Sequence, residues 1–159
     1  LKLPNGMGCD QAGQGSRALR GFARGPTLPG MSENTYKTDG TIDTFENAHR
    51  ERDYEITFTA PEFTSVCPMT GQPDFGTITV TYIPDERCIE LRSFKFYLQT
   101  FRDRGIFYED VTNQILTDIV EAVAPRIATV VGEFNTRGGI SARVTAEYES
   151  AEWIADSEG

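Results

Sequence analysis

Glu90-Leu-Arg-Ser-Phe-Lys-Phe-Tyr-Leu-Gln-Thr-Phe-Arg-Asp-Arg104 is the stretch on which the fold of this chain turns. Leu91, Phe94, Leu98 and Phe101 recur every three or four residues, while Arg92, Lys95, Gln99 and Arg102 occupy another face. The spacing predicts an amphipathic helix over 90–104, closed by Gly105. Downstream, Val111, Ile115, Ile119 and Val123 repeat that period until Pro125 stops it. On both sides of this helical pair the period changes to two. Upstream, Tyr54, Ile56, Phe58 and Ala60 alternate with Glu55, Thr57 and Thr59. After an irregular stretch, Ile78, Val80 and Tyr82 alternate with Thr77, Thr79 and Thr81 as far as Pro84-Asp85. Downstream, residues 126–134 are β-branched and apolar, and Ile140, Ala142, Val144, Ala146 and Tyr148 alternate with Ser141, Arg143, Thr145 and Glu147. Asn135-Thr-Arg-Gly-Gly139 between them has hairpin-loop composition. Strand, strand, helix, helix, strand, strand predicts an α+β domain, an antiparallel four-stranded sheet with both helices on one face. Such a sheet has two free edges and a thin core, and oligomerisation is the natural remedy.

Composition narrows the function classes. The 159 residues carry 15 basic and 24 acidic side chains, a net charge of -9, with 38% apolar and 25% charged residues, which suits one globular domain. No apolar run approaches the ~18 residues of a spanning helix, so no membrane partner is expected. The acidity argues against direct nucleic-acid binding, because phosphate backbones repel it, and an anionic ligand would need a local basic cluster. Cys9, Cys67 and Cys88 are widely spaced, without paired cysteines or companion histidines, so neither a metal site nor a disulfide framework is expected. The single histidine, His49, stands beside Arg50 and Glu51 and reads as solvated. Without a basic start and apolar leader, a cytoplasmic setting with reduced thiols is expected. Residues 1–50 hold eight of the fifteen glycines and three of the eight prolines and show no periodicity. They are expected to form a disordered arm, with 1–30 an extension upstream of Met31, followed by one domain over 51–150 and a C-terminal tail over 151–159.

Chemistry concentrates in Phe63-Thr-Ser-Val-Cys-Pro-Met-Thr-Gly-Gln-Pro-Asp74, a polar, turn-rich stretch with one thiol and, seven positions later, one carboxylate. A cysteine is often just a small buried hydrophobe. Here its neighbours are Pro, Thr, Gly and Gln, which suits a partly exposed, reactive thiol. Arg92 and Lys95 share a helix face, and Lys95 is the only lysine beyond Tyr54. Two such cations are either a solvated face or the local basic cluster an anionic cofactor needs.

Taken with Glu90-Leu-Arg-Ser-Phe-Lys-Phe-Tyr97, the Glu109-Asp110 pair and Arg137-Gly-Gly-Ile-Ser141, the cysteine stretch resembles the short, single-module NADPH-dependent 7-cyano-7-deazaguanine reductases of queuosine biosynthesis, over residues 54–148. The resemblance implies the tunnelling fold, whose subunits join sheet edges into pentameric rings that stack into decamers. It implies a four-electron reduction of the nitrile to 7-aminomethyl-7-deazaguanine with NADPH as cofactor. Cys67 would attack the nitrile carbon to form a thioimidate, and Asp74 would protonate the nitrogen, the two acting on opposite ends of a weak electrophile. Glu109 would hold the guanine-like edge of the base, with Tyr108, Glu90 and Ser93 also contacting substrate. Arg92, Lys95, Arg137 and Gly138 would meet the cofactor.

Two positions depart from that family. Tyr108 stands where the family has histidine, and Arg92 where it usually has lysine. Tyrosine donates a hydrogen bond but is a poorer proton shuttle near neutrality. Other readings are an amidinotransferase-type relative that adds ammonia to the nitrile on tRNA, an enzyme of deazaguanine modification in DNA, and a noncatalytic binding module. The cofactor motif favours the reductase.

Overall fold

The computed structural model describes residues 39–157, in the order β1 (Thr44–Glu46), β2 (Ile56–Val66), β3 (Pro73–Ile83), β4 (Arg87–Ile89), α1 (Leu91–Gln99), α2 (Tyr108–Val123), β5 (Ile127–Arg137), β6 (Ile140–Glu149) and α3 (Ala151–Ser157). Of the arm expected over residues 1–50, residues 1–38 lie outside the described residues. Two antiparallel hairpins, β2–β3 and β5–β6, join through β3 and β5 into a four-stranded sheet of order β2-β3-β5-β6. The α+β expectation therefore holds, with the edges at β2 and β6.

Alternation sorts the sheet into two faces. Ile78, Val80 and Tyr82 of β3 and Ala128, Val130 and Phe134 of β5 are buried against Phe94, Tyr97 and Leu98 of α1 and Val111, Ile115, Ile119 and Val123 of α2. Threonines 57, 59, 77, 79, 81, 129 and 145 occupy the other face, where the Thr57 and Thr81 hydroxyls lie 3.2 Å apart. At Gly132 a Cβ would sit 2.7 Å from Thr112 Oγ1, so glycine lets α2 close onto β5.

Helix ends follow local chemistry. Glu90 caps α1, its carboxylate accepting from Arg92 N at 2.9 Å and Ser93 N at 2.8 Å. The helix is shorter than the expected 90–104. After Gln99 the chain tightens into turns in which Thr100, Phe101 and Arg102 donate to carbonyls three residues back, so Phe101 is still delivered to the core. Helix α2 ends at Ala124, left-handed at φ 43, before Pro125. Tyr97 Oη donates to Asp118 Oδ2 at 2.5 Å and pins α1 to α2.

Two bulges decide which side chains reach the end of the sheet. On β2 the register shifts between Ala60 and Phe63, at Pro61-Glu62 on an edge strand. One extra residue flips the parity, so the inward set Ile56, Phe58, Ala60 continues as Phe63 and Ser65. The irregular stretch of the sequence is therefore mostly strand, and the loop shrinks to 67–72. On β5 a second shift between Phe134 and Arg137 turns Arg137 toward the same face. The expected loop 135–139 contracts to Gly138-Gly139, at φ 57 and 84, the two left-handed positions of a tight hairpin turn.

The boundaries of the domain need correction at both ends. The arm expected over 1–50 contains β1, paired with β4, and Asp43 bonds α1's start through Asp43 N to Ser93 Oγ at 2.9 Å and Glu90 N to Asp43 O at 2.8 Å. A three-residue strand is too short to show alternation, and its partner lies some forty residues away. The expected tail over 151–159 holds α3, whose Trp153 N donates to Ser150 Oγ at 3.2 Å. No helix among the described residues is long and apolar enough to cross a membrane.

Candidate active site

Cys67 opens the turn between β2 and β3. Cys67 N donates to Gln72 O and Gly71 N to Cys67 O, both at 2.8 Å, and Gly71 takes φ 68 to close the turn. The Thr70 hydroxyl, followed by the backbone N–H groups of Met69 and Thr70, holds the Cys67 thiol below its ordinary range, against the opposing charge of nearby Asp74. The thiol is only partly buried. It meets the description of a reactive cysteine better than that of a core residue.

Asp74 is the second residue of β3 and is 3% exposed. Its Oδ1 accepts from Tyr108 Oη at 2.8 Å and from Arg137 Nη1. No hydrogen bond from the described residues reaches Oδ2. Arg137 Nη2 also donates to Gln72 Oε1 at 2.9 Å, tying the cysteine turn to β5. Tyr108 stacks on Phe134 with ring centroids 3.8 Å apart and planes 7° from parallel. Burial first, then the Asp74 carboxylate, pushes the Tyr108 hydroxyl up, so it remains a donor. The Tyr108 hydroxyl and the Asp74 charge likewise raise Arg137.

Backbone pairing places α2's start beside the thiol. Val66 N donates to Arg104 O at 3.0 Å and Ile106 N to Val66 O at 3.1 Å, clamping the residue before Cys67 to the segment that leads into Tyr108 and Glu109. Glu109 sits exposed in the first turn of α2, where the helix dipole favours a carboxylate.

The structure thus gathers Cys67, Asp74, Tyr108 and Arg137, with Glu109 adjacent and Gly138 in the neighbouring turn. It does not bring Arg92 or Lys95 to them within one chain. Those two, with Glu90, line a groove of about 630 Å³ between β2 and α1 whose floor includes Phe58, Phe94 and Leu98. None of Cys67, Asp74, Tyr108 and Arg137 lines it. Arg92 lies 3.9 Å from Glu90, and Lys95 Nζ lies 4.6 Å from the Phe96 ring centre. Ser93 is buried beneath, donating to Glu90 O and accepting from Asp43 N, so it and Glu90 hold α1's start. Residue-by-residue reading missed Thr70, Gln72 and Arg102. Thr70 and Gln72 are neutral loop residues with no pattern of their own, but Arg102 was visible as the continuation of the Arg92, Lys95, Gln99 face and also lines the groove.

A thiol held low beside a clamped carboxylate, on the end of a four-stranded sheet backed by two helices, gives an α+β protein with the groups that an enzyme of nucleophilic-cysteine type needs. Comparison with known proteins makes this specific. The family model described as QueF-like protein matches residues 73–153, just over half of the chain. The NADPH-dependent 7-cyano-7-deazaguanine reductase of Chlorobaculum tepidum is 57% identical over 110 residues, covering 69% of this chain and 94% of that protein. The reductase of the same name from Anaeromyxobacter sp. is 57% identical over 107 residues, covering 67% and 88%. Among solved structures, the apo form of the archaeosine synthase QueF-Like superposes with a TM-score of 0.57 at 25% identity, covering 61% of this chain and 95% of that one. The chain belongs to the QueF-like family.

Proposed function

We propose that this chain reduces the nitrile of 7-cyano-7-deazaguanine to the aminomethyl group, with NADPH as reductant. The observation that carries the reading is the Cys67–Asp74 pair, a lowered thiol beside a carboxylate whose Oδ1 is fixed by Tyr108 and Arg137. Cys67 adds to the nitrile carbon, and its thiol proton passes through Asp74 to the nitrogen, giving a thioimidate without change in charge. With Oδ1 occupied, Oδ2 is the oxygen left to meet the substrate. Glu109, exposed at the start of α2, accepts from the ring N–H and exocyclic amine of the base.

The groove between β2 and α1 fits a dinucleotide, with an apolar floor for flat rings and the cations Arg92, Lys95 and Arg102 for phosphates. Two NADPH molecules, bound there one after the other, would each supply one hydride, the four electrons that the nitrile takes up. Because groove and thiol lie apart in one chain, we assign the complete site to the junction of neighbouring subunits, β2 of one against β6 of the next, in pentameric rings stacked into a decamer. Unpaired sheet edges and Ile140, 76% exposed at the start of β6, support that arrangement. The reaction belongs in the cytosol, where the thiol stays reduced.

The likeness to an archaeosine synthase keeps a second reading in view, ammonia addition to the nitrile on tRNA. One experiment separates the two. Pure protein with the nitrile base should oxidise NADPH, followed by its absorbance, whereas ammonia with nitrile-bearing tRNA should give no amidine. The opposite pattern would assign the chain to the synthases.

A further inference from the structure

Ser65, two residues before Cys67 on β2, is 0% exposed. Its Oγ is the one fully buried side-chain polar atom, among the described residues, that no protein group meets with a hydrogen bond. A buried hydroxyl without a partner disfavours the folded state, and such a group calls for a reason. The reason lies across the ladder, where Ser65 is paired with Asp74. Directly opposed residues of an antiparallel pair carry Cβ atoms about 4.5–5.5 Å apart on one face, within reach of a single side-chain hydrogen bond. Both side chains are buried and both point to the core face, because the bulge at Pro61-Glu62 has flipped the parity of β2. In the free protein the carboxylate is drawn the other way, toward Tyr108 and Arg137 through Oδ1. A donor without an acceptor therefore faces a carboxylate whose Oδ2 has no donor among the described residues.

We propose that Ser65 is a positioning residue for the acid. Once the nitrile is engaged, the Ser65 hydroxyl rotates about χ1 and donates to Asp74 Oδ2. A carboxylate oxygen has two lone pairs, so Oδ2 can accept from Ser65 and still face the substrate. The orphaned hydroxyl is the free protein's half of a hydrogen bond completed during the reaction. This inference rests on the assignment of Asp74 as the proton carrier.

The test is Ser65→Ala, with adduct formation on Cys67 followed by intact mass after mixing with 7-cyano-7-deazaguanine in the absence of NADPH. The melting temperature of the free variant should be unchanged or higher, because the substitution removes an unpaired buried group. Affinity for the base should stay within about twofold, while the adduct rate at saturating base falls about fivefold or more. In an Asp74→Asn background the same substitution should change the rate by less than about twofold, since the two residues act as a unit. An unchanged rate in Ser65→Ala, a lowered melting temperature with lost base binding, or an equal loss in the Asp74→Asn background would each overturn the assignment. A wild type that forms no adduct overturns the functional reading, and this inference with it. A normal wild type beside an unaffected Ser65→Ala overturns this inference alone.

Discussion

Thr70 carries no charge and sits exposed on a turn, yet its hydroxyl is the leading cause of the lowered Cys67 thiol. Adduct formation requires the thiolate, so its rate climbs as pH rises through the thiol's titration. Thr70→Val should move that climb to higher pH, slow adduct formation near neutrality by about two- to tenfold, and leave the alkaline plateau intact. A pH–rate profile identical to wild type would return the thiol's activation to the backbone alone. Cys67→Ala should gain no mass from the base under any condition. Tyr108 poses a different question, because its hydroxyl bonds Asp74. If that bond orients Asp74 as the proton carrier, Tyr108→Phe should slow the adduct step by about 0.5 to 1.5 kcal/mol, the net value of one neutral hydrogen bond. Wild-type reduction should be measurable. A turnover number about tenfold or more higher in Tyr108→His would instead make this position a proton shuttle.

At the scale of elements, α1 is held at its start by Glu90 and at its end by the Tyr97 contact to Asp118. Bonds from Arg92 N and Ser93 N hold the Glu90 carboxyl below its ordinary value of 4.5. A carboxyl lowered by folding contributes stability that is complete above that value and is lost as pH falls through the folded one. Glu90→Ala should therefore cost about 1 kcal/mol near neutrality, typical of a lost cap. The gap from wild type should close as the solution is acidified below about 4.5, read by denaturant unfolding at each pH. A gap independent of pH would mean that the methylenes of Glu90, not its charge, support the helix. On the opposite face of α1, Arg92→Ala and Lys95→Ala should each raise the Michaelis constant for NADPH about tenfold, and that for the base far less. A change confined to the base would move the groove from cofactor to substrate.

For the whole molecule, sheet edges set the expectation. Strands β2 and β6 each pair on one side only within the four-stranded sheet, and Ile140 places a large apolar side chain on the β6 edge. An exposed edge of this kind pairs with another copy or aggregates. Light scattering should give a mass many times the 17.7 kDa of the chain, and Ile140→Lys should lower it together with NADPH oxidation. A wild-type monomer that turns over NADPH would place the complete site within one chain and remove the intersubunit arrangement.

The amino-acid sequence by itself determined the element order, the amphipathic faces and which thiol is the candidate nucleophile. These are local quantities: periods of two and 3.6 residues, a proline or glycine at a boundary, a cysteine set among turn formers. The antiparallel four-stranded sheet with its two free edges and the position of both helices on one face followed from that order. Tertiary structure alone decided the rest. The strand β1 was invisible because three residues cannot show a period, and the true length of β2 was hidden because Pro61-Glu62 breaks the alternation that the bulge then restores in opposite phase. The same kind of shift turned Arg137 onto Asp74, whereas composition read its surroundings as a loop and the family resemblance implied a cofactor contact. Ser65 showed nothing in sequence beyond a small polar residue in a strand. Its unpaired hydroxyl opposite Asp74 exists only because two distant segments register rung by rung, and register depends on pairing energies summed along the sheet, which no single stretch of chain contains.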